Sequence, residues 1–99
     1  MSALQVVAVV TAKEGSADVV REALTTLAHA SRQEDACLAY DVHESAAAPG
    51  TFLTTEQWGS QGDLDMHLQT EHFQRAVAQT TGHLSAAPAI HPLQPVLVG

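Results

Sequence analysis

The residues most able to do chemistry lie in one short run. Positions 51–58 read TFLTTEQW, and in an extended strand Phe52, Thr54, Glu56 and Trp58 point one way while Leu53, Thr55 and Gln57 point the other. A carboxylate and an indole N–H both need partners when buried. A cavity holding a polar ligand supplies them, and so does a plain structural arrangement in which Glu56 pairs with Arg75 and Trp58 fills the core. His67 is the next candidate. It shares a helical stripe with Leu64 and Leu68, so its imidazole is expected to face the sheet, where a group poised near neutral pH serves acid–base work. A histidine in that place also serves structure alone. His72 opens the following helix, five residues on, a spacing that does not align two ligands on one helical face. Nothing nominates a third ligand, and no metal is expected. His29, His43, His83 and His91 read as surface or loop residues, and Cys37 as a small buried side chain without the basic neighbours a reactive thiolate wants.

The elements that position these groups follow from periodicity. Residues 4–12, LQVVAVVTA, are apolar on both alternating faces and predict a strand covered on both sides. After the turn at Lys13–Gly15, Ser16 is the expected cap of a helix running to about Gln33, with Val20, Leu24, Leu27 and Ser31 on one face. Residues 37–45 and 51–58 predict a hairpin of two strands around a turn at 46–50 that ends in Pro-Gly. Ser60, with Asp63 three residues later, opens a second helical region, and Thr70 caps a further short helix closed by Gly82. The tail, with Pro88, Pro92 and Pro95, reads as an edge or exchanged strand.

The order β-α-β-β-α-β predicts an α+β, ferredoxin-like fold: a four-stranded antiparallel sheet with its helices on one face, in a single domain over residues 1–99. Leu53 and the threonines are expected toward the helices, leaving Phe52, Thr54, Glu56 and Trp58 on the other face. With the first strand apolar on both sides, a second copy of the chain is the expected cover, and the cleft between the two subunits the expected site.

Composition narrows the function. The chain of 99 residues is 45% hydrophobic and 15% charged, with four basic against eleven acidic side chains and a formal charge of −7. Lys13, Arg21, Arg32 and Arg75 are scattered, so there is no basic stripe to neutralise phosphates; nucleic acid and anionic membrane surfaces are not expected partners. A lone cysteine and the want of a signal-like or membrane-length apolar segment fit a cytoplasmic protein. Gly-rich phosphate loops, paired cysteines and the G-x-S-x-G and HExxH motifs are absent.

The run TFLTTEQW at 51–58, followed by HLQTEHF at 67–73, resembles the antibiotic biosynthesis monooxygenase family, as do KEG at 13–15 and CLAY at 37–40. The resemblance covers nearly the whole chain, from the first strand to the helix near residue 80. It implies ferredoxin-like protomers packed as dimeric α/β barrels, a pocket in each subunit, and oxygenation of a small phenol or hydroquinone to a quinone without metal or flavin. It also implies roles: His67 as acid–base, Trp58 as wall and donor, Glu56 and Thr54 as orienting groups, with Phe52, Tyr40, His72 and Phe73 around the substrate. Members acting on aromatic polyketides resemble one another in an asparagine four residues before the tryptophan, where this chain has Thr54. The positions matching the haem-degrading branch are Ala8, His67 and Val77, which do not carry that branch's asparagine, tryptophan and histidine. A non-catalytic dimer that binds a small apolar molecule, or an isomerase or lyase of small carbonyl compounds, would use the same pocket.

Overall fold

A computed structural model describes residues 3–99. Four strands, β1 (Leu4–Thr11), β2 (Cys37–Glu44), β3 (Thr51–Trp58) and β4 (Ala89–Pro92), form one sheet in the order β2-β3-β1-β4. All three pairings are antiparallel. Helices α1 (Ala17–Ser31), α2 (Gln61–His67) and α3 (Glu71–Thr80) complete the ferredoxin-like α+β arrangement expected from the sequence.

Each element forms where its sequence favours it. The β-branched run of β1 suits a central strand with neighbours on both sides. In α1 the buried residues Val20, Ala23, Leu24, Leu27, Ala28 and Ser31 recur at helical spacing and make the stripe that packs inward. Ser60 and Thr70 cap α2 and α3, their hydroxyls accepting from the backbone N–H of Asp63 and Phe73. Ser16 does not cap α1 in this way. Its hydroxyl lies 2.9 Å from Nδ1 of His83 and ties the start of α1 to the turn after α3. Between β2 and β3 the chain turns at Gly50, whose φ of 91° is a conformation that side chains with a Cβ rarely adopt. β4, with its proline, sits at the sheet edge beside β1.

Cross-strand register sets the face that matters. Val10 stands opposite Phe52, Ala8 opposite Thr54 and Val6 opposite Glu56, and on the far side of β3 Tyr40 stands opposite Glu56. Paired residues share a face. All of these are buried, along with Leu24, Leu27 and Leu64 from the helices. The helices therefore cover the face bearing Phe52, Thr54, Glu56 and Trp58, opposite to the expectation that this face turns away from them. Alternation separates the two sets without saying which set meets the helices. The large apolar surfaces of Phe52 and Trp58, both almost fully buried, decide it, because covering them gains more than covering Leu53 and two threonines. Val7, Val9 and Leu53 are left half-exposed on the uncovered face.

Candidate functional site

Three buried side chains of β3 form a closed hydrogen-bonded unit. Thr54 donates its hydroxyl to Oε2 of Glu56 at 2.6 Å, and Trp58 donates Nε1–H to Oε1 of the same carboxylate at 2.8 Å. Because i, i+2 and i+4 on a strand share a face, the spacing T-x-E-x-W builds this unit without help from elsewhere. The backbone N–H of Ala8 in turn donates to the Thr54 hydroxyl at 3.2 Å, which fixes the direction of that hydroxyl's own proton. Glu56 is 5% exposed, and among the described residues no basic side chain is bonded to it. Arg75, its expected partner, bonds Glu71 on its own helix instead. Glu56 is thus a buried carboxylate held by two neutral donors.

His67 occupies the last position of α2 and lies over Trp58, ring centroids 4.4 Å apart. Tyr40 at 5.7 Å and Phe73 at 5.4 Å complete an aromatic surround. Its Nδ1 lies 2.7 Å from Oε2 of Glu34, in the turn between α1 and β2. A carboxylate accepts from Nδ1–H, so this contact places the proton there and leaves Nε2 as the lone-pair nitrogen in the neutral ring. Nε2 makes no hydrogen bond among the described residues. The same Oε2 lies 2.7 Å from Nε2 of His72. Thr70 fixes this geometry, since its hydroxyl donates to the His67 carbonyl at 2.8 Å while capping α3.

Between these groups and the helices lies a cavity of about 70 Å³. Leu24, Leu27, Leu64 and Ala76 are part of its apolar wall, and Thr54, Glu56, Tyr40 and His67 stand at its polar edges. Val77 and Ile90, half-exposed, stand at its mouth beside β4. Burial, reinforced by the charge of Glu56, pushes the Tyr40 phenol far above its ordinary range, so Tyr40 keeps its proton.

The predicted site residues divide accordingly. Thr54, Glu56, His67, Tyr40 and Phe73 line the cavity. Trp58 does not, and its N–H is already given to Glu56, so it is not a donor to a ligand but the floor under His67. Phe52 lies in the core beneath Arg21, whose guanidinium sits 5.5 Å from the ring centroid. His72 lies outside the cavity, bonded to Glu34. The site itself is within the protomer, between sheet and helices, rather than in a cleft between sheets. This follows from the reversed facing of β3.

Glu34 is the member of this cluster that the sequence does not reveal. It stands just beyond Gln33, where the helix is expected to end. Nothing local marks it, because its partners are 33 and 38 residues away. It also supplies the third ligand-type group that the spacing of His67 and His72 did not nominate. The donor atoms of Glu34, His67 and His72 lie within 4.8 Å of one another, a set with the composition of a metal centre. As they stand, the contacts have the length of hydrogen bonds. Donors around a tetrahedral ion at 2.0–2.2 Å stand roughly 3.3 Å apart, whereas contacts of 2.7 Å are the length of charge-assisted N–H···O bonds.

Comparisons with known proteins agree with this architecture. A family model described as antibiotic biosynthesis monooxygenase matches residues 3–79. Among solved structures, PA3566 from Pseudomonas aeruginosa is 31% identical, covering 98% of this chain and 97% of its own, with a TM-score of 0.89. A structure described as antibiotic biosynthesis monooxygenase is 33% identical at a TM-score of 0.87, covering 95% and 99%. Rv0793 from Mycobacterium tuberculosis is 28% identical at 0.88, covering 98% of both chains. No curated protein matches. No helix among the described residues is long and apolar enough to cross a membrane.

Proposed function

The chain belongs to the antibiotic biosynthesis monooxygenase family, and from that premise we propose that it oxidises a small phenol or hydroquinone to a quinone with O₂, needing no metal, flavin or haem. The observation that carries the proposal is a mostly apolar cavity whose polar edges include two acceptors, the carboxylate of Glu56 and Nε2 of His67. Acceptors without cations favour a neutral hydroxyl donor and disfavour carboxylates and phosphates. Size points the same way. An apolar cavity of about 150 Å³ admits benzene, so at about 70 Å³ this one takes a single ring only if its wall moves or part of the ring stays in the mouth, and it excludes a fused system.

The chemistry then needs little from the protein. His67 takes the hydroxyl proton at Nε2, and Glu34 stabilises the imidazolium formed. The phenolate, now electron-rich, gives one electron to O₂. The two radicals combine into a peroxide on the ring carbon, with Glu56 holding a second hydroxyl where the substrate has one. The O–O bond breaks as that carbon loses its proton and His67 returns one to the leaving oxygen. One oxygen atom becomes the new carbonyl and the other leaves as water, so the four electrons O₂ accepts all come from the ring. The apolar walls keep water from the radical pair.

A homodimer belongs to the same proposal. Val7, Val9 and Leu53 are half-exposed on the open face of the sheet, and Val96, Leu97 and Val98 are exposed in the tail. A second copy packed on that face removes both from water.

Oxygen uptake with a panel of monocyclic phenols and hydroquinones tests the activity. The wild type is expected to consume one O₂ for each quinone formed, and His67→Ala to slow it by about 10²-fold or more. Equal rates for both proteins, or turnover without oxygen consumption, would overturn the proposal. A monomer at micromolar concentration in sedimentation would remove the dimer.

A further inference from the structure

We propose that Glu34 and His72 form a proton outlet connecting the cavity with solvent; this rests on the role of His67 as the group that takes the substrate's proton. A base whose cavity is filled by the bound phenol must pass its proton on or hold it until the reaction returns it. His67 is about 1% exposed, and with the phenol in the cavity its ring has little direct contact with water. The side chain of His72 is 23% exposed, and a single oxygen, Oε2 of Glu34, lies 2.7 Å from both rings. The sequence of groups runs from cavity to His67, to Glu34, to His72, to water.

One carboxylate between two imidazoles balances one positive charge well and two poorly, so the proposed scheme gives the cluster a single extra proton. In this scheme the extra proton sits on His72 before the phenol binds, and His67 is the neutral ring. When Nε2 of His67 takes a proton from the substrate, the positive charge appears on His67, and His72 gives up its Nδ1 proton to water. One proton enters at His67 and one leaves at His72. The cluster has the same net charge before and after, so the buried site is spared an uncompensated charge. The same exchange in reverse resupplies His67 for the step that releases water. Tyr40 and Glu56 are the other ionisable groups facing His67 across the cavity, and neither bonds to the cluster. Tyr40 keeps its proton, and both oxygens of Glu56 are engaged by Thr54 and Trp58. In this scheme Glu34 and His72 are positioning and relay residues, since neither lines the cavity.

The test uses the full-length chain without turnover, with para-nitrophenol as the probe because its anion is coloured. Binding is measured by calorimetry at about pH 6, below the ordinary histidine value, in buffers of different ionisation enthalpy that count the protons released. The wild type is expected to bind the phenol in its anionic, yellow form and release about one proton per phenol bound. His72→Gln keeps an N–H donor for Glu34 but cannot titrate, so it is expected to bind the yellow form and release about none. A structural role for His72 predicts no difference between the two proteins. Equal proton release would overturn the outlet and leave the cavity reading standing. A phenol that fails to bind, or binds colourless, would overturn the role of His67 and the outlet with it. Tight binding of one zinc ion by the wild type, lost in His72→Gln, would make the cluster a metal centre and overturn the outlet by another route. Circular dichroism confirms that the variant is folded.

Discussion

Trp58→Phe isolates the hydrogen bond that holds the buried carboxylate. The indole is fully buried, and its N–H donates to Oε1 of Glu56 at 2.8 Å. Removing a bond to a charged group costs about 1.5–3 kcal/mol. The smaller ring also leaves a void of roughly 40 Å³, which at about 24 cal/mol per Å³ adds roughly 1 kcal/mol. The expected loss is about 2.5–4 kcal/mol, enough to lower the melting temperature by ~10 °C or more in a chain of this length. Urea titrations followed by far-ultraviolet circular dichroism, at one fixed protein concentration, measure it; fluorescence does not serve, since Trp58 is the sole tryptophan. The sharper measurement is a double-mutant cycle with Glu56→Gln. A neutral acceptor makes a weaker bond, so Trp58→Phe should cost about 1 kcal/mol less in that background, while the void term cancels. If the two substitutions add within about 0.3 kcal/mol, the bond contributes nothing specific and the account of Glu56 as a carboxylate held by its strand neighbours is wrong.

Leu64→Ala should cost about 2–5 kcal/mol, because Leu64 is 2% exposed, and should widen the cavity it lines enough to admit a larger phenol; calorimetry with one-ring and two-ring phenols reads both effects, and unchanged selectivity would move the ligand elsewhere. Glu44 is held below its ordinary value of 4.5, first by its hydrogen bond from Arg21 and then by the Gly50 N–H. Its folded-state value being the lower one, its contribution is present above about pH 4.5 and fades as pH falls through that lower value. Acid titration of Glu44→Gln should therefore show a shallower loss of stability than the wild type. Tyr40 is shifted the opposite way, upward from 10 by burial first and by the charge of Glu56 next. The unfolded chain ionises it first, so stability should fall as pH rises past about 10, and Tyr40→Phe should flatten that limb; an identical alkaline curve would show that the phenol is not shielded as described.

Local structure was written locally. The bounds of β3, the caps at Ser60 and Thr70 and the inward stripe of α1 all follow from neighbouring residues, and the structure reproduces them. The grouping of Thr54, Glu56 and Trp58 was legible for the same reason, since alternation alone puts them on one face. Which face that was could not be read from β3, because the choice depends on how much apolar surface Phe52 and Trp58 offer to helices far along the chain. Glu34 was hidden for a related reason. Its partners come together through the packing of α2 against β3 and of α3 against α1, and a glutamate after a helix end carries no mark of that.

The same reasoning explains why the site is inside the protomer. A ferredoxin-like sheet has one face covered by helices, and in most cores that space is filled with apolar side chains. Here Ala8, Ala76 and Thr54 are small at the positions where β1, α3 and β3 meet, so the wall does not close and a cavity remains. Glu56 would be costly in a filled core, since a buried carboxylate without a cation is stabilised by its two donors only in part. In the proposed reading a ligand hydroxyl supplies the missing donor. Replacing Ala76 by leucine should therefore do what no distant substitution does: fill the void, leave Glu56 and His67 in place, and abolish phenol binding while the fold survives. Calorimetric binding of para-nitrophenol, unaltered by that replacement, would refute the cavity as the place where the hydroxyl is recognised.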